Sequence, residues 1–363
     1  MPDVGNLLSF AGCDYLGLSV ATTVRKELCA GARTFGVSAC ASLATTGRTP
    51  AHEDLELALA DLLGVESAAV LPDAFLANIA VVESLPPKTR LLLDECVHPS
   101  LLAAARSTGR PYETFPHLNV ETVRSLLGNS SAGEPVALLT DGVFTPSGRR
   151  APLSDYLDLL PSSGTLIVDD CHGLGVLGRH GRGSTEGAGL GDARMILVAT
   201  LAKAFGCYGG VIAATASRLA SVRERSMAYV ATTALPPPLA VAGREALRLF
   251  VREPQRLRTL WHNTRLMRVG LEALGFTFEA DPFPVFALVP EPSEHGCRVE
   301  AALLEAGIQL PFLSYPGGPS AGCLRATVSA LHTSEQVERL MRTLDTVLRQ
   351  VGACPASLGK EGR

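Results

Sequence analysis

The residues of this chain best suited to chemistry are a lysine and an aspartate, each placed where an apolar run gives way to small or polar residues. Thr200-Leu201-Ala202-Lys203-Ala204-Phe205-Gly206 completes the run that begins at Met195 and leads into Gly209-Gly210. A lysine just beyond the C-terminal end of a strand sits where open α/β sheets place their ligands, and the small residues beside it leave room for a planar ring. Taken alone, such a lysine is more often a surface residue of a connecting loop. Asp169 changes that balance, because it ends the run Thr165-Leu166-Ile167-Val168 and is followed by Asp170, Cys171 and His172. A carboxylate at the end of a buried strand is costly unless a cation or a strong donor meets it. A protonated pyridine nitrogen would do so, and by keeping that nitrogen protonated the acid would let the ring absorb the electrons of a carbanion formed next to an imine. The ordinary reading of Asp169 is a helix cap or an internal ion pair. Together, the amine and the acid point to an enzyme that uses pyridoxal phosphate (PLP), with the aldehyde held as a Schiff base on Lys203.

Two further stretches bear on this reading. His98 follows Leu91-Leu92-Leu93-Asp94-Glu95-Cys96-Val97, so it too belongs at a strand's end, where an imidazole can lie flat on a ring or serve as a satisfied polar residue. Gly173-Leu174-Gly175-Val176-Leu177-Gly178 matches G-x-G-x-x-G, yet a dinucleotide fingerprint should open a helix directly after its strand. Here Asp169-Asp170-Cys171-His172 intervenes, and the glycines are expected to allow a tight loop beside the cofactor.

The elements that must position these residues follow from periodicity. From Leu55 to Thr215, short apolar runs alternate with helical stretches, the pattern of β-α units around a mostly parallel sheet. Val136–Thr140, Thr165–Asp169, Met195–Thr200 and Gly210–Thr215 are the clearest strands. Thr49-Pro50 opens a helix whose Leu55, Leu59, Leu62 and Leu63 share a face before Gly64 ends it. Pro236-Pro237-Pro238 interrupts the alternation, and long helices follow. Thr333 with Gln336 makes a capping-box pattern, ahead of one stripe of Val337, Leu340, Met341, Leu344, Leu348 and Val351. The expected organisation is an N-terminal segment 1–35, a PLP-binding large domain 36–238, a smaller α+β domain 239–352 and a flexible tail 353–363 that frays after Gly352.

Composition narrows the function. With 363 residues and a net charge of -4, the chain can bury a large core and has no general attraction for nucleic acid. Its N-terminus has no basic segment leading into an apolar stretch, and no apolar run is long enough to cross a membrane. Nine scattered cysteines without C-x-x-C pairs fit reduced thiols, hence a cytoplasmic enzyme without a metal site.

These motifs, taken together, resemble those of the α-oxoamine synthases, which are fold-type I PLP-dependent transferases. The resemblance runs from Phe10 to His332 and rests on five motifs in order. Asp14-Tyr15-Leu16-Gly17-Leu18 is similar to the entry motif, Asp169-Asp170-Cys171-His172-Gly173 to D-[DE]-x-H-[GS], and Thr200 to Gly206 to the cofactor-lysine segment. Thr232-Thr233-Ala234-Leu235-Pro236-Pro237, and Leu324-Arg325 through Ala330-Leu331-His332-Thr333, are similar to two more. The resemblance implies Lys203 as the Schiff-base lysine, Asp169 as the pyridine partner, His98 as the stacking residue, and His172 and Thr145 beside the ring hydroxyl. It further implies Ala74, Phe75 and Thr200 at the phosphate, and Thr233 reaching the phosphate of a second subunit in a homodimer with shared active sites. Arg325 would pair with the substrate carboxylate through its planar fork, close to Cys13 and Ser42. The implied reaction joins a small amino acid to an acyl thioester, on CoA or a carrier protein, with loss of carbon dioxide, giving an α-aminoketone.

Several positions depart from the family pattern. Cys13 stands for an asparagine and Ser38-Ala39-Cys40-Ala41-Ser42-Leu43 for a glycine-rich loop. Asp73-Ala74 replaces a hydroxyl and a glycine at the phosphate turn, where a carboxylate is unfavourable unless it points away. Gly148-Arg149-Arg150 and Cys323 also differ from the usual residues. These departures motivate an alternative on the same scaffold: an aminotransferase, racemase or retro-aldol enzyme. A third reading, a degenerate subunit supporting an active partner, is opposed by the retention of both Lys203 and Asp169.

Overall fold

Seven short apolar runs assemble into one sheet. In chain order they are β1 (Ser67–Leu71), β2 (Arg90–Asp94), β3 (Tyr112–Phe115), β4 (Val136–Asp141), β5 (Thr165–Asp169), β6 (Met195–Thr200) and β7 (Gly210–Ala214). Side by side the order is β1-β7-β6-β5-β4-β2-β3. The pairs from β3 through β6 are all parallel. Only β7 runs against its neighbours β1 and β6. The mostly parallel sheet expected from the β-α alternation is therefore present, and all four strands anticipated in the sequence belong to it. β7 stops one residue early because Thr215 leaves the ladder to cap the next helix, accepting from the Arg218 amide at 3.4 Å. A parallel sheet is covered on both faces, so its strands are apolar throughout rather than alternating. Leu93, Ile167, Val198 and Ile212, one from each of four strands, are completely buried. Each such side chain contributes about 1.5–3 kcal/mol of burial free energy.

This computed structural model describes residues 3–4, 7–128, 133–145, 147–278, 281–314, 318–319 and 321–356. The chain forms two compact units: Leu18–Val143 with Arg150–Arg252, which holds the sheet, and Met1–Gly17 with Phe144–Arg149 and Glu253–Arg363. In the sheet unit, Pro50–Leu63 is a helix whose Leu55, Leu59 and Leu63 are buried. Leu62, expected on that face, is only partly covered. Gly64 ends this helix in the left-handed conformation, with φ at 67°.

The second unit is α+β. Val285–Leu288, Cys323–Thr327 and Phe312–Leu313 form an antiparallel sheet, and Ile308–Gln309 pairs in parallel with Leu7–Ser9. Phe10 stacks on His332 at 4.3 Å between ring centroids, and His332 Nε2 lies 3.0 Å from the Ser9 carbonyl. The start of the chain is thus built into the same core as its last motif. The helix Ser334–Val351 opens with the expected capping box: Thr333 N donates to Gln336 Oε1 at 3.0 Å and Gln336 N to Thr333 Oγ1 at 3.2 Å. Its buried stripe comprises Val337, Leu340, Leu344, Val347 and Leu348, with Met341 at the edge. Where fraying was expected directly after Gly352, Cys354–Pro355 instead pairs antiparallel with Pro290–Glu291. Backbone bonding to a strand edge holds this stretch; the rest of the tail, 357–363, lies outside the described residues. Among the described residues, no helix is long and apolar enough to cross a membrane.

Candidate active site

The candidate residues of the sheet unit gather where parallel strands end, the position open α/β sheets use for ligands. Asp169 is the last residue of β5 and is 6% exposed. Two donors hold its carboxylate, and a hydroxyl lies farther off. Oδ2 accepts from Asn78 Nδ2 at 2.7 Å, with Ser100 Oγ 3.4 Å away, and Oδ1 accepts from the Cys171 amide at 3.1 Å. Hydrogen bonds to a charged group contribute about 1.5–3 kcal/mol each, enough to hold a carboxylate in this buried position.

His98 ends the loop after β2 and caps the helix Pro99–Ser107. Its backbone amide donates to Asp141 Oδ1 at 3.0 Å, and its Nδ1 lies 2.7 Å from Ser100 Oγ. Upstream, Asp94 accepts from the Cys96 and Leu118 amides at 2.9 and 2.8 Å and faces His117 Nδ1 at 2.9 Å, which fixes the loop that carries His98. Burial pushes the His98 imidazole pKa down, Lys203 acts in the same direction, and Asp169 opposes both. Lys203, half-buried in the turn after β6, also acts electrostatically on Asp141, Asp170 and Cys171. Because β5 and β6 are parallel, with Asp169 opposite Val198, the turn that carries Lys203 lies at the same end of the sheet as Asp169.

Two neighbouring carboxyls extend the site. Asp141, last in β4, is the register partner of Asp169, and burial together with the Asp169 charge pushes its pKa well up. Asp170 is completely buried and accepts from the Ser184 amide at 2.9 Å. A side chain at Gly173 or Gly183 would collide with the Asp170 carboxylate, which accounts for two glycines of this region by close approach. The G-x-G-x-x-G stretch is a series of turns and opens no helix.

Burial raises the Asp170 carboxyl to about 7, and Ser184 only partly offsets this. Its folded value lies above the ordinary 3.8, so the proton is held more tightly in the fold. The associated stability is fully present below the ordinary carboxylate range and is lost as pH rises through about 7. Asp170→Asn, neutral at all pH, is expected to flatten the fall of the melting temperature between about pH 4 and 7. Melting curves across that range would check it, and an identical slope in both proteins would remove Asp170 as its source.

Phosphate-sized anions suit helix N-termini, and the helix Ala74–Ser84 begins at the expected turn. Asp73 caps it, accepting from the Leu76 amide at 2.8 Å, so its carboxylate is turned toward the helix. A side chain at Gly210 would strike the Asp73 backbone, so this glycine permits the close approach of β7 to the turn. The Thr200 hydroxyl donates to the Gly209 carbonyl at 3.2 Å and accepts from the Ala202 amide at 3.1 Å; holding a phosphate through its proton requires exchanging the first of these bonds. His172 is 8% exposed, immediately beyond Asp170 and Cys171. Ser42 and Thr233 are joined by an isolated antiparallel bridge, with Thr233 exposed. In the loop that replaces the glycine-rich one, Cys40 takes up φ of 53°, a conformation glycine adopts without cost.

Three expected residues belong to the other unit. Thr145 is buried in the Phe144–Arg149 turn, which Gly148 N closes onto Phe144 O at 2.8 Å. Arg325, on Cys323–Thr327, donates to Cys13 Sγ and to Thr327 Oγ1, each at 3.5 Å. The contact to the hydroxyl is long, and sulfur, though at an ordinary distance, is a weak acceptor. Asn78, Ser100 and Asp141 were not anticipated. A lone amide in the apolar run Leu76–Val82 was the available signal for the first, and an aspartate ending β4 as Asp169 ends β5 was the signal for the third.

Comparison with known proteins agrees with the motifs. A family model described as aminotransferase class I and II matches residues 6–344. The 8-amino-7-oxononanoate synthase of Methylococcus capsulatus is 34% identical over 347 residues, 94% of this chain and 89% of that protein. That of Xanthomonas euvesicatoria is 38% identical over 358 residues, 95% and 88% of the two chains. A serine palmitoyltransferase from S. paucimobilis, solved with bound PLP and myriocin, shares the fold with a TM-score of 0.88 over 95% of this chain and 88% of its own, at 24% identity.

Proposed function

Because the chain belongs to the aminotransferase class I and II family and, within it, to the α-oxoamine synthases, we propose that it condenses a small amino acid with an acyl-CoA or acyl-carrier thioester, releasing carbon dioxide and an α-aminoketone. The family is PLP-dependent, and this chain is a PLP-dependent acyltransferase. The residues present fit the cofactor: a buried carboxylate held by the Asn78 side chain and the Cys171 amide ends one strand, an amine follows the next, and a helix begins at the expected phosphate turn. When bound, PLP supplies an electron sink beside the bond that breaks.

The chain's own residues divide the remaining work. Lys203 holds the cofactor and moves the substrate α-proton at its Nζ. Asp169 would keep the ring nitrogen protonated, and His98 would cover the ring face. His172 and Thr145 would attend the ring hydroxyl, while Ala74, Phe75 and Thr200 would hold the phosphate. Arg325, with Cys13 and Ser42, receives the substrate. A homodimer in which Thr233 reaches the partner's phosphate is supported by the exposure of Thr233 and of the large apolar surfaces of Phe75 and Tyr208. Nine free thiols support a reducing compartment, the cytoplasm.

The observation that carries this reading is the buried Asp169 carboxylate, held by Asn78 and the Cys171 amide at the same sheet end as Lys203. The test is to incubate the holoenzyme with amino acids and acyl thioesters. Release of free thiol that requires the amino acid supports acyl transfer; a keto acid or inverted amino acid without thiol release supports the alternative chemistries. The name of the relatives specifies an amine beside a ketone on a nine-carbon acid, which makes alanine and the matching dicarboxylic thioester the first pair to assay. Cys13→Asn would replace a weak sulfur partner of Arg325 with an amide carbonyl. It is expected to lower KM for the amino acid by about three- to tenfold with little change in kcat, whereas an unchanged KM would separate Cys13 from carboxylate binding.

A further inference from the structure

We propose that Asn78 is a positioning residue that sets both the orientation of the Asp169 carboxylate and, through Ser100, the tautomer of His98. This inference rests on the reading of Asp169 and His98 as cofactor partners and assigns what holds them.

Asn78 is completely buried in the helix Ala74–Ser84, among Ala77, Ala80, Val81 and Val82. An amide in such surroundings is costly unless bonded. Its two Nδ2 protons have two acceptors in reach: Asp169 Oδ2 at 2.7 Å and Ser100 Oγ at 2.9 Å. The reverse amide orientation would set Oδ1 against the carboxylate, so the hydrogen-bond pattern fixes which atom is nitrogen. Oδ1 itself is buried without a hydrogen-bond partner among the described residues. This side chain is therefore present for its protons.

Ser100 carries the constraint onward. Having accepted from Asn78, its hydroxyl has one proton to give, and His98 Nδ1 lies nearest at 2.7 Å. The Ser100 amide also donates to Nδ1 at 3.3 Å. Two donors on Nδ1 leave the ring proton on Nε2. The longer Ser100 Oγ contact to Asp169 Oδ2, 3.4 Å, serves when His98 gains a proton: Nδ1–H then donates to Ser100, whose hydroxyl turns to the carboxylate. The charged groups acting on the His98 ring are Asp169 and Lys203, while Asp141 Oδ1 accepts from the His98 backbone amide. One amide thus couples the acid at the ring nitrogen to the imidazole on the ring face.

The test uses the full-length chain with PLP. Asn78→Ala is expected to weaken PLP binding about 10- to 100-fold and to displace the pH at which the visible absorption of the bound cofactor changes. Ser100→Ala should leave PLP affinity within about threefold, since its own bond to Asp169 is long. It should still displace that pH and lower kcat at unchanged KM. If Asn78→Ala does not fold, Ser100→Ala decides alone. Wild-type affinity and a wild-type absorption profile in folded Asn78→Ala, or a wild-type profile in Ser100→Ala, would overturn the proposal. Asp169→Asn separates the two levels. If it leaves the absorption profile unchanged, the role given to Asp169 fails; if it alters the profile while Asn78→Ala does not, only the role of Asn78 fails.

Discussion

Lys203→Ala is expected to lose condensation activity by roughly a thousandfold or more and to lose the cofactor's covalent attachment, while keeping its melting temperature close to that of the wild type. The chain has only four lysines, at positions 26, 88, 203 and 360, and among these only Lys203 directly follows a strand of the sheet. Lys203 itself is only half-buried, unlike Ala204 and Phe205 beside it, so truncating its side chain spares the core. The activity, by contrast, has no substitute amine at that end of the sheet. Steady-state turnover with a saturating amino acid and thioester, together with a melting curve, would measure both. Turnover within tenfold of wild type would mean that another group holds the cofactor.

Asp169→Asn is expected to keep PLP bound but to reduce kcat by about a hundredfold or more. The two side chains have nearly the same shape, and one of the two donors, Asn78 on Oδ2 or the Cys171 amide on Oδ1, retains an oxygen to bond while the other meets the new NH2 group. What disappears is the negative charge that keeps a proton on the ring nitrogen and with it the ring's capacity to accept electrons. Binding and chemistry should therefore separate, with PLP affinity changed far less than kcat. Titration of the apoenzyme with PLP, followed by kinetics on the loaded protein, would read the two quantities. Unchanged kcat would remove the acid from the chemistry, whatever its effect on binding.

Much of this arrangement could be read from the chain alone, for reasons that differ by residue. Lys203 and Asp169 were legible because each breaks an apolar strand at its end, and strands buried on both faces leave unmistakable runs such as Thr165–Asp169 and Met195–Thr200. The capping box at Thr333 was legible because its two bonds lie within one turn of helix. Asn78 and Ser100 were not, since their bonds to Asp169 span 91 and 69 residues and depend on the order in which strands stack in the sheet. The same holds for Asp141, whose neighbour in space is set by strand register rather than by spacing. The direction of Asp73 was not legible because it is a backbone property; as an N-cap it bonds the Leu76 amide and keeps its carboxylate at the start of the helix. The short strand Cys354–Pro355 was missed because its partner, Pro290–Glu291, lies far back in the chain and a two-residue pairing leaves no periodic trace.

The most direct measurement is to reduce the PLP-loaded protein with borohydride, digest it and map the modified peptide by mass. A pyridoxyl group on Lys203 and on no other lysine is the expected result. A colourless protein that yields no modified peptide after PLP is added, or a label on Lys26 or Lys88 instead, would contradict the assignment of Lys203 as the residue that holds the cofactor.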